Sequence, residues 1–305
     1  MASRGSLQAL TNELLEEIFL RLGSPVRDVR DGRVLIECVP EEGDDDDEEE
    51  IFFPDLAVCD PLSRRYLLLP PIPDDLLASV QVQKQFLEDF RPFLVPSGFE
   101  GDGGGISFRV LARMDFTQRV VAFIFSSADG HWSAGASVSW HDLGIPLGHH
   151  RVISGSQAYG CFYWKVVCED KCLKLDMSSM EFSVVDLPPE RDGYYAIIGE
   201  AGEGNIGVFS LIDNHTTLCY NTIRQNGGER FDQLKMDNII PLPVGYSYHI
   251  HGSYEGYIIM SGFGSTNTWF ALEIKTLRIE RVCQMRIDEF TSMFGGFLHY
   301  QLMWI

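Results

Sequence analysis

Cysteine and histidine are the residues of this sequence whose types and spacing could hold a metal ion. Cys161, Cys168 and Cys172 do not form the paired Cys-x-x-Cys knuckles of a zinc site, and no fourth ligand is evident near them. His249 and His251 alternate onto one face of a strand, a geometry that can chelate a metal, but no carboxylate or further histidine lies close in sequence. We therefore expect packed thiols and a surface histidine pair, with no metal and no cofactor.

Motifs for enzymatic chemistry are also missing from the sequence. The glycine-rich stretches 101–105 and 261–265 do not follow a strand and open a helix with a Lys-Ser or Lys-Thr ending, so they are interpreted as turns rather than phosphate-binding loops. No Gly-x-Ser-x-Gly elbow occurs. The sequence predicts a protein that is not an enzyme.

Charge and hydropathy restrict the partners. The formal net charge is −20, and nine of the acids lie in the run 41–50, which is expected to be a solvated, disordered loop. No cluster of Lys and Arg is present, so nucleic acid is not expected as a ligand. No apolar run is long enough to span a membrane, no signal-peptide core is visible, and the seven cysteines are odd in number. We expect a cytoplasmic or nuclear protein with free thiols.

The predicted secondary structure changes from helix to strand after the first 25 residues. A stripe of large apolar residues at helical spacing predicts one short helix, with Thr11 as its N-cap and Gly23 and Pro25 beyond its end. From residue 33 onward, short runs rich in Val, Ile, Phe and Tyr predict about sixteen strands. The stretch 75–90 is interpreted either as a second helix or as a long connection.

The strands repeat in a regular pattern. Stretches 55–73, 172–189 and 270–283 share the form hydrophobic-x-Asp/Glu-x-x-Ser/Thr-x-x-hydrophobic, and Pro70, Pro146, Pro188, Pro241 and Cys283 mark steps of 76, 42, 53 and 42 residues. A period of about 40–50 residues with four strands each is typical of propeller blades. The prediction is an all-β propeller of five to six blades, with pairing of 33–39 and 297–304 closing it. Two packed sheets without radial order are the alternative.

Aromatic residues at predicted strand ends are the candidates for contact with a partner, because Tyr and Trp are enriched at binding surfaces. Candidate target-binding residues are Trp132, Trp140, Tyr194, Tyr248 and Trp269.

Two stretches resemble a known family. Residues 7–25, LQALTNELLEEIFLRLGSP, resemble the opening helix of an F-box, and DLAVCDPLSRRYLLLPPIPDD, followed by SVSW, CFYW and LKLDMSSMEFSVVDLPP, is similar to the F-box-associated domain of plant F-box proteins, especially those of grasses. The resemblance implies a substrate-recognition subunit of a Skp-cullin-F-box ubiquitin ligase, with an unknown protein substrate bound by the β domain. It also implies that apolar helix residues enter the groove of the Skp adaptor, namely Leu10, Leu14, Leu15, Ile18 and Leu22.

The sequence departs from the F-box pattern in two respects, the first being Thr11, which stands where the family usually has Pro after the leading Leu. The second and third helices of an F-box have no counterpart here, since the chain passes from Pro25 directly into RDVRDGRVL. The expected organisation is a partial F-box helix at 1–25 and a propeller-like domain at 26–305. The alternative function is a free-standing propeller scaffold outside any ligase, and an enzyme with a propeller cleft is a weaker third.

Overall fold

A computed structural model describes most of the β-rich part of the chain. The described residues are 8–9, 26–38, 53–96, 107–146, 152–167, 169–187, 196–224, 238–254, 256–264 and 267–285. Of the segment 1–25, predicted to form the partial F-box helix, only residues 8–9 are described, and they form a short strand. The acidic run 41–50 and the predicted strand 297–304 lie outside the described residues. The chain divides after Ser139 into two compact units, the second being Trp140–Phe290.

The first unit contains two antiparallel sheets. The strands of sheet 1 are β1 (Gln8–Ala9), β2 (Val26–Arg30), β3 (Arg33–Cys38), β4 (Asp55–Asp60) and β5 (Arg65–Leu68), in the order β1-β5-β4-β3-β2. Those of sheet 2 are β6 (Leu87–Val95), β7 (Arg109–Phe116), β8 (Arg119–Ser126) and β9 (His131–Ser139), in sequential order. Between the sheets, the chain forms the short helix α1 (Asp74–Ser79) and a 3-10 turn, Lys84–Phe86. The stretch 75–90 thus contains a short helix, as one interpretation predicts, and also serves as a connection between two sheets, as the other predicts.

The second unit contains three more sheets, each of four sequential antiparallel strands. Sheet 3 has β10 (Val152–Ala158), β11 (Cys161–Val166), β12 (Lys171–Asp176) and β13 (Glu181–Asp186). Sheet 4 has β14 (Ala196–Gly202), β15 (Asn205–Ile212), β16 (Thr217–Arg224) and β17 (Asn238–Ile240). Sheet 5 has β18 (Ser247–Tyr254), β19 (Tyr257–Phe263), β20 (Asn267–Glu273) and β21 (Arg278–Met285). Five such sheets make the blade arrangement of a five-bladed all-β propeller, which confirms the predicted fold class.

The repeated sequence form is the hairpin between the third and fourth long strands of a sheet. In β4–β5, Asp60 Oδ1 accepts a hydrogen bond from the backbone N–H of Ser63 at 3.0 Å, and in β12–β13, Asp176 Oδ1 accepts one from the N–H of Ser178 at 2.9 Å. In β20–β21, Thr276 Oγ1 donates to Glu273 Oε2 at 2.6 Å. An acid followed by Ser or Thr is therefore a turn signal: the two aspartates accept from the turn backbone, and the glutamate accepts from the hydroxyl of the Thr.

The predicted pairing of strand 33–39 with 297–304 is wrong. Strand β3 lies between β2 and β4, so both of its edges are occupied. Asp31 and Gly32 have φ of 50° and 71°, and two successive residues with positive φ make the tight turn that folds β2 back onto β3. Strand β2 has the sequence VRDVR, whose charged side chains leave no apolar run that would predict a strand.

Apolar cores fill the space between sheets within each unit. In the first unit, sheets 1 and 2 share a core that includes Leu35, Val58, Met114 and Phe123. In the second unit, one cluster joins sheets 3 and 4 and another joins sheets 4 and 5. Burial of each large apolar side chain contributes about 1.5–3 kcal/mol, and this burial fixes which face of each strand points inward.

Buried serines tie the first strands of the second unit together. Ser156 Oγ of β10 accepts a hydrogen bond from the N–H of Ile198 in β14 at 3.1 Å. Ser253 of β18 donates to the carbonyl of the same Ile198 at 2.7 Å. Strand β14 is thus hydrogen-bonded to β10 of sheet 3 and to β18 of sheet 5, which fixes the first strands of the three sheets relative to one another.

Candidate functional site

The aromatic residues selected from the sequence do not form one exposed surface. The exposed fractions of Trp132, Trp140 and Tyr248 are 5%, 0% and 2%. Trp269 is half-buried on sheet 5, where its ring centroid lies 4.6 Å from that of His251. Tyr194 lies outside the described residues. Burial of the first three rings gives them a positioning role instead of direct contact with a partner.

Two of these buried aromatics hold proline-containing connections by their polar atoms. Trp132 Nε1 donates a hydrogen bond to the carbonyl of Pro70 at 2.7 Å. Tyr248 Oη donates to the carbonyl of Pro243 at 2.6 Å. Each bond fixes the chain segment that follows the last strand of a sheet. The buried aromatic residues thus anchor the proline-containing connections.

Tyr248 organises the most exposed of these segments, which we call the Tyr248 corner. The corner consists of the connection 241–246, between β17 and β18, and the turn 213–216, between β15 and β16. The backbone N–H of Tyr248 donates to the carbonyl of His215 at 2.7 Å, while its hydroxyl holds Pro243. One residue therefore fixes both parts of the corner.

The connection 241–246 is a rigid apolar tip. Val244 is 94% exposed at its end, whereas Leu242 packs against the core of sheets 4 and 5. Pro241 and Pro243 have a restricted φ and bias the residues before them toward extended backbone. Such a tip loses little conformational entropy when a partner covers it.

Glycines at the end of β19 and directly after it let sheet 5 pack closely against the tip. A Cβ on Gly264 would lie 2.5 Å from the carbonyl oxygen of Gly245, so the two backbones touch where only glycine fits. The ring of Tyr246 packs over Gly262 and meets the ring of Phe270 edge to face at a centroid distance of 5.4 Å. Sheet 5 therefore supports the tip along its length.

The turn 213–216 holds three successive residues in the left-handed region. Asp213, Asn214 and His215 have φ of 53°, 55° and 63°, a conformation that costs L-residues about 1–2 kcal/mol each. Thr216 stabilises it, since its hydroxyl donates to the carbonyl of Asp213 at 2.7 Å. Strained backbone that persists in this way is concentrated at functional sites.

The corner is uncharged except for one carboxylate. In the two parts 213–216 and 241–246, Asp213 is the single acid and Lys and Arg do not occur. Burial, followed by the nearby Tyr246, raises the pKa of Tyr248 to about 12, so its hydroxyl keeps the proton that it donates to Pro243. The geometry suits recognition of a partner through shape, apolar contact and one negative charge.

Four of the cysteines and histidines selected from the sequence are described: Cys161 and Cys172 lie on sheet 3, and His249 and His251 lie on sheet 5. Among the described residues, no group of three or more Cys, His, Asp or Glu could hold a metal ion. Cys161 and Cys172 are buried thiols, and burial raises the pKa of both; Cys168 is outside the described residues. His249 and His251 are half-buried instead of exposed, with ring centroids 4.8 Å apart.

Replacement of Tyr248 by phenylalanine tests the anchoring of the tip. The variant leaves the Pro243 carbonyl without its donor, and we expect a loss of about 1 kcal/mol in the free energy of unfolding in urea. Tyr257→Phe is the matched control, because Tyr257 is a tyrosine of the same sheet that is 43% exposed. Equal stability of the two variants would contradict the anchoring role.

Glycine substitutions test the strain in the turn. Asn214→Gly is expected to raise the free energy of unfolding by about 0.5–1 kcal/mol, because glycine adopts positive φ without a Cβ clash. Asn205→Gly, at the start of β15, is expected to lower it by a similar amount, since glycine weakens a strand. Thermal unfolding measures both, and a destabilised Asn214→Gly variant would show that the turn is relaxed.

The comparisons with known proteins show no family for this chain. No protein-family model matches the chain, and no curated protein matches it in sequence. Its structure is similar to that of YCF48 from Cyanidioschyzon merolae, with 8% identity, a TM-score of 0.43, and coverage of 84% of this chain and 70% of that one. For a nidogen/laminin complex the identity is 10% and the TM-score 0.43, over 85% and 77% of the two chains.

An enzyme also appears among the similar structures. Prolyl oligopeptidase B from Galerina marginata has 12% identity and a TM-score of 0.40, over 85% of this chain, which spans only 33% of the length of that chain. Identities and TM-scores this low carry no argument about activity.

Neither described helix is long and apolar enough to cross a membrane.

Proposed function

We propose that this protein is a substrate-recognition subunit of a Skp-cullin-F-box type ubiquitin ligase, which binds its target protein at the Tyr248 corner. The five-blade arrangement is typical of protein-interaction domains. The observation that carries target binding is the rigid tip with Val244 94% exposed beside the strained turn 213–216. In this proposal the protein performs no chemistry and needs no cofactor, and it acts in the cytoplasm or nucleus.

Adaptor binding rests on the resemblance of the N-terminal segment to an F-box helix. Leu10, Leu14, Leu15, Ile18 and Leu22 would enter the adaptor groove, and all five lie outside the described residues. The segment follows β1, which pairs with β5 at the edge of sheet 1 through Gln8 and Tyr66. An adaptor bound to the segment would thus be connected to the β domain by a short tether.

A pull-down with a plant Skp adaptor tests this role. We expect the full chain to retain the adaptor and the double variant Ile18→Asp, Leu22→Asp to lose it, because two carboxylates cannot enter an apolar groove. Leu62→Asp is the matched control, since Leu62 is already 90% exposed on the β4–β5 turn. Equal retention by all three proteins would contradict adaptor binding through the segment.

A free-standing interaction scaffold is the second candidate. It is favoured by the missing second and third F-box helices, which would otherwise cover the apolar side of the first. In that case the full chain retains no adaptor under any condition, while target binding at the Tyr248 corner persists.

A further inference from the structure

We infer that the Tyr248 corner recognises a segment of its target in which a lysine or arginine neighbours an aliphatic residue. The inference rests on the proposed function, because it names the chemistry of the target at the same site.

The aliphatic part follows from the tip. Val244 is the most exposed of the large hydrophobic residues that the structure describes. Contacts with Tyr248, Leu242 and Gly264 hold the connection in place, so Val244 stays exposed. An apolar group on a fixed tip gains most when a partner covers it with an apolar surface. A polar partner surface would lose its hydrogen bonds to water against Val244, which offers no replacement for them.

The cationic part follows from Asp213. This residue is exposed at the start of the strained turn, and among the described residues its carboxylate has no ion-pair partner. No Lys or Arg occurs in either part of the corner to compete for it. The carboxylate is therefore open to a cation supplied by the partner, in a charge-assisted hydrogen bond.

The relative placement of the two groups explains why they would be recognised together. The carbonyl of His215, two residues after Asp213, and the carbonyl of Pro243, one residue before Val244, are both bound by Tyr248. The turn that carries Asp213 and the tip that carries Val244 are thus both hydrogen-bonded to one residue, the turn through the backbone N–H of Tyr248 and the tip through its hydroxyl. The net charge of −20 over the chain also favours the approach of a basic segment.

Four series of labelled dodecapeptides test the inference on the purified full chain. Each series has a central leucine, and the position next to it is lysine, arginine, serine or glutamate. Fluorescence anisotropy is expected to give dissociation constants about tenfold lower for the lysine and arginine series than for the glutamate series. Equal binding of the glutamate series, or no binding by any series, would overturn the inference.

Matched variants assign the two contacts. Val244→Ser is expected to weaken every series by about tenfold, whereas Asp213→Asn is expected to remove the preference for lysine and arginine while leaving the serine series unchanged. The controls are Leu62→Ser, at an exposed aliphatic residue elsewhere, and Asp142→Asn, whose side chain is 71% exposed. Binding that is unaffected by Val244→Ser would also overturn the inference. The adaptor pull-down is independent of these peptides, so failure of one is distinguishable from failure of the other.

Discussion

Replacement of Arg113 by methionine is expected to lower the free energy of unfolding by about 3–5 kcal/mol, the largest effect of any single change considered. Arg113 is 1% exposed in sheet 2, and its guanidinium lies 2.9 Å from Asp115 and 3.1 Å from Asp89. Asp115 is itself 3% exposed. Loss of the cation would leave this buried carboxylate without the guanidinium that compensates its charge.

Two further variants separate the buried charge from the loss of packing. Arg91→Met removes the other arginine beside Asp89. The Arg91 side chain is 46% exposed, so this change is expected to lower the free energy of unfolding by no more than about 1 kcal/mol. Adding Asp115→Leu to Arg113→Met is expected to recover much of the stability, because an apolar pair replaces a lone charge. Urea unfolding measures all three, and an additive double variant would contradict the explanation.

Acidification is expected to have the second largest effect, through two histidines of β18. Burial, and then the nearby His215, lowers the pKa of His249 to about 4. Burial, and then His249, lowers the pKa of His251 to about 3, and His251 Nε2 lies 2.8 Å from Ser261 Oγ. Both folded-state values are below the ordinary value near 6.5, so between about pH 6.5 and pH 4 the unfolded chain binds more protons than the folded one. Stability therefore falls as the pH falls through this window.

The size of this effect is set by the width of the window. From pH 6.5 to pH 5, each histidine is expected to lower the free energy of unfolding by about 2 kcal/mol, at 1.36 kcal/mol per pH unit. Asp176, whose pKa is lowered to about 2 by hydrogen bonds from Ser178, affects stability only at lower pH. Burial raises the pKa of Asp28, which opposes the effect of the histidines, so the histidine variants are needed to assign the slope.

Asparagine substitutions provide the control. The double variant His249→Asn, His251→Asn is expected to lose most of the slope of stability against pH between pH 5 and 6.5. His141→Asn is expected to keep it, because the His141 side chain is 93% exposed. A slope that is the same in all proteins would show that other groups cause the acid sensitivity.

Much of the fold could be predicted because several sheets carry the same local signals. Pro70, Pro146 and Pro241 follow the last strands of three sheets, since proline cannot continue a ladder of backbone hydrogen bonds. Asp60 and Asp176 with their serines fix two of the hairpins. Strand β2 was missed, because its alternating charged residues carry no apolar run and its pairing depends on the positive φ of Asp31 and Gly32.

The candidate site was predictable only in part. Tyr248 was selected as an aromatic at a strand end, which is where the structure places it, but its burial turns it from a contact residue into an anchor. The exposure of Val244 depends on the long-range contact of Gly264 with Gly245, which no local pattern reports. Asp213 and Asn214 do carry a local signal, because both residue types tolerate the left-handed region.

Hydrogen–deuterium exchange of the full chain, with and without the tightest-binding peptide of the lysine series, tests target recognition at the Tyr248 corner most directly. We predict that the peptide slows exchange at Asn214, His215, Val244 and Gly245, and leaves the proline connection at 69–73 unchanged. Slowed exchange at 69–73 or along the β21 edge, with the corner unaffected, would contradict the location of the site.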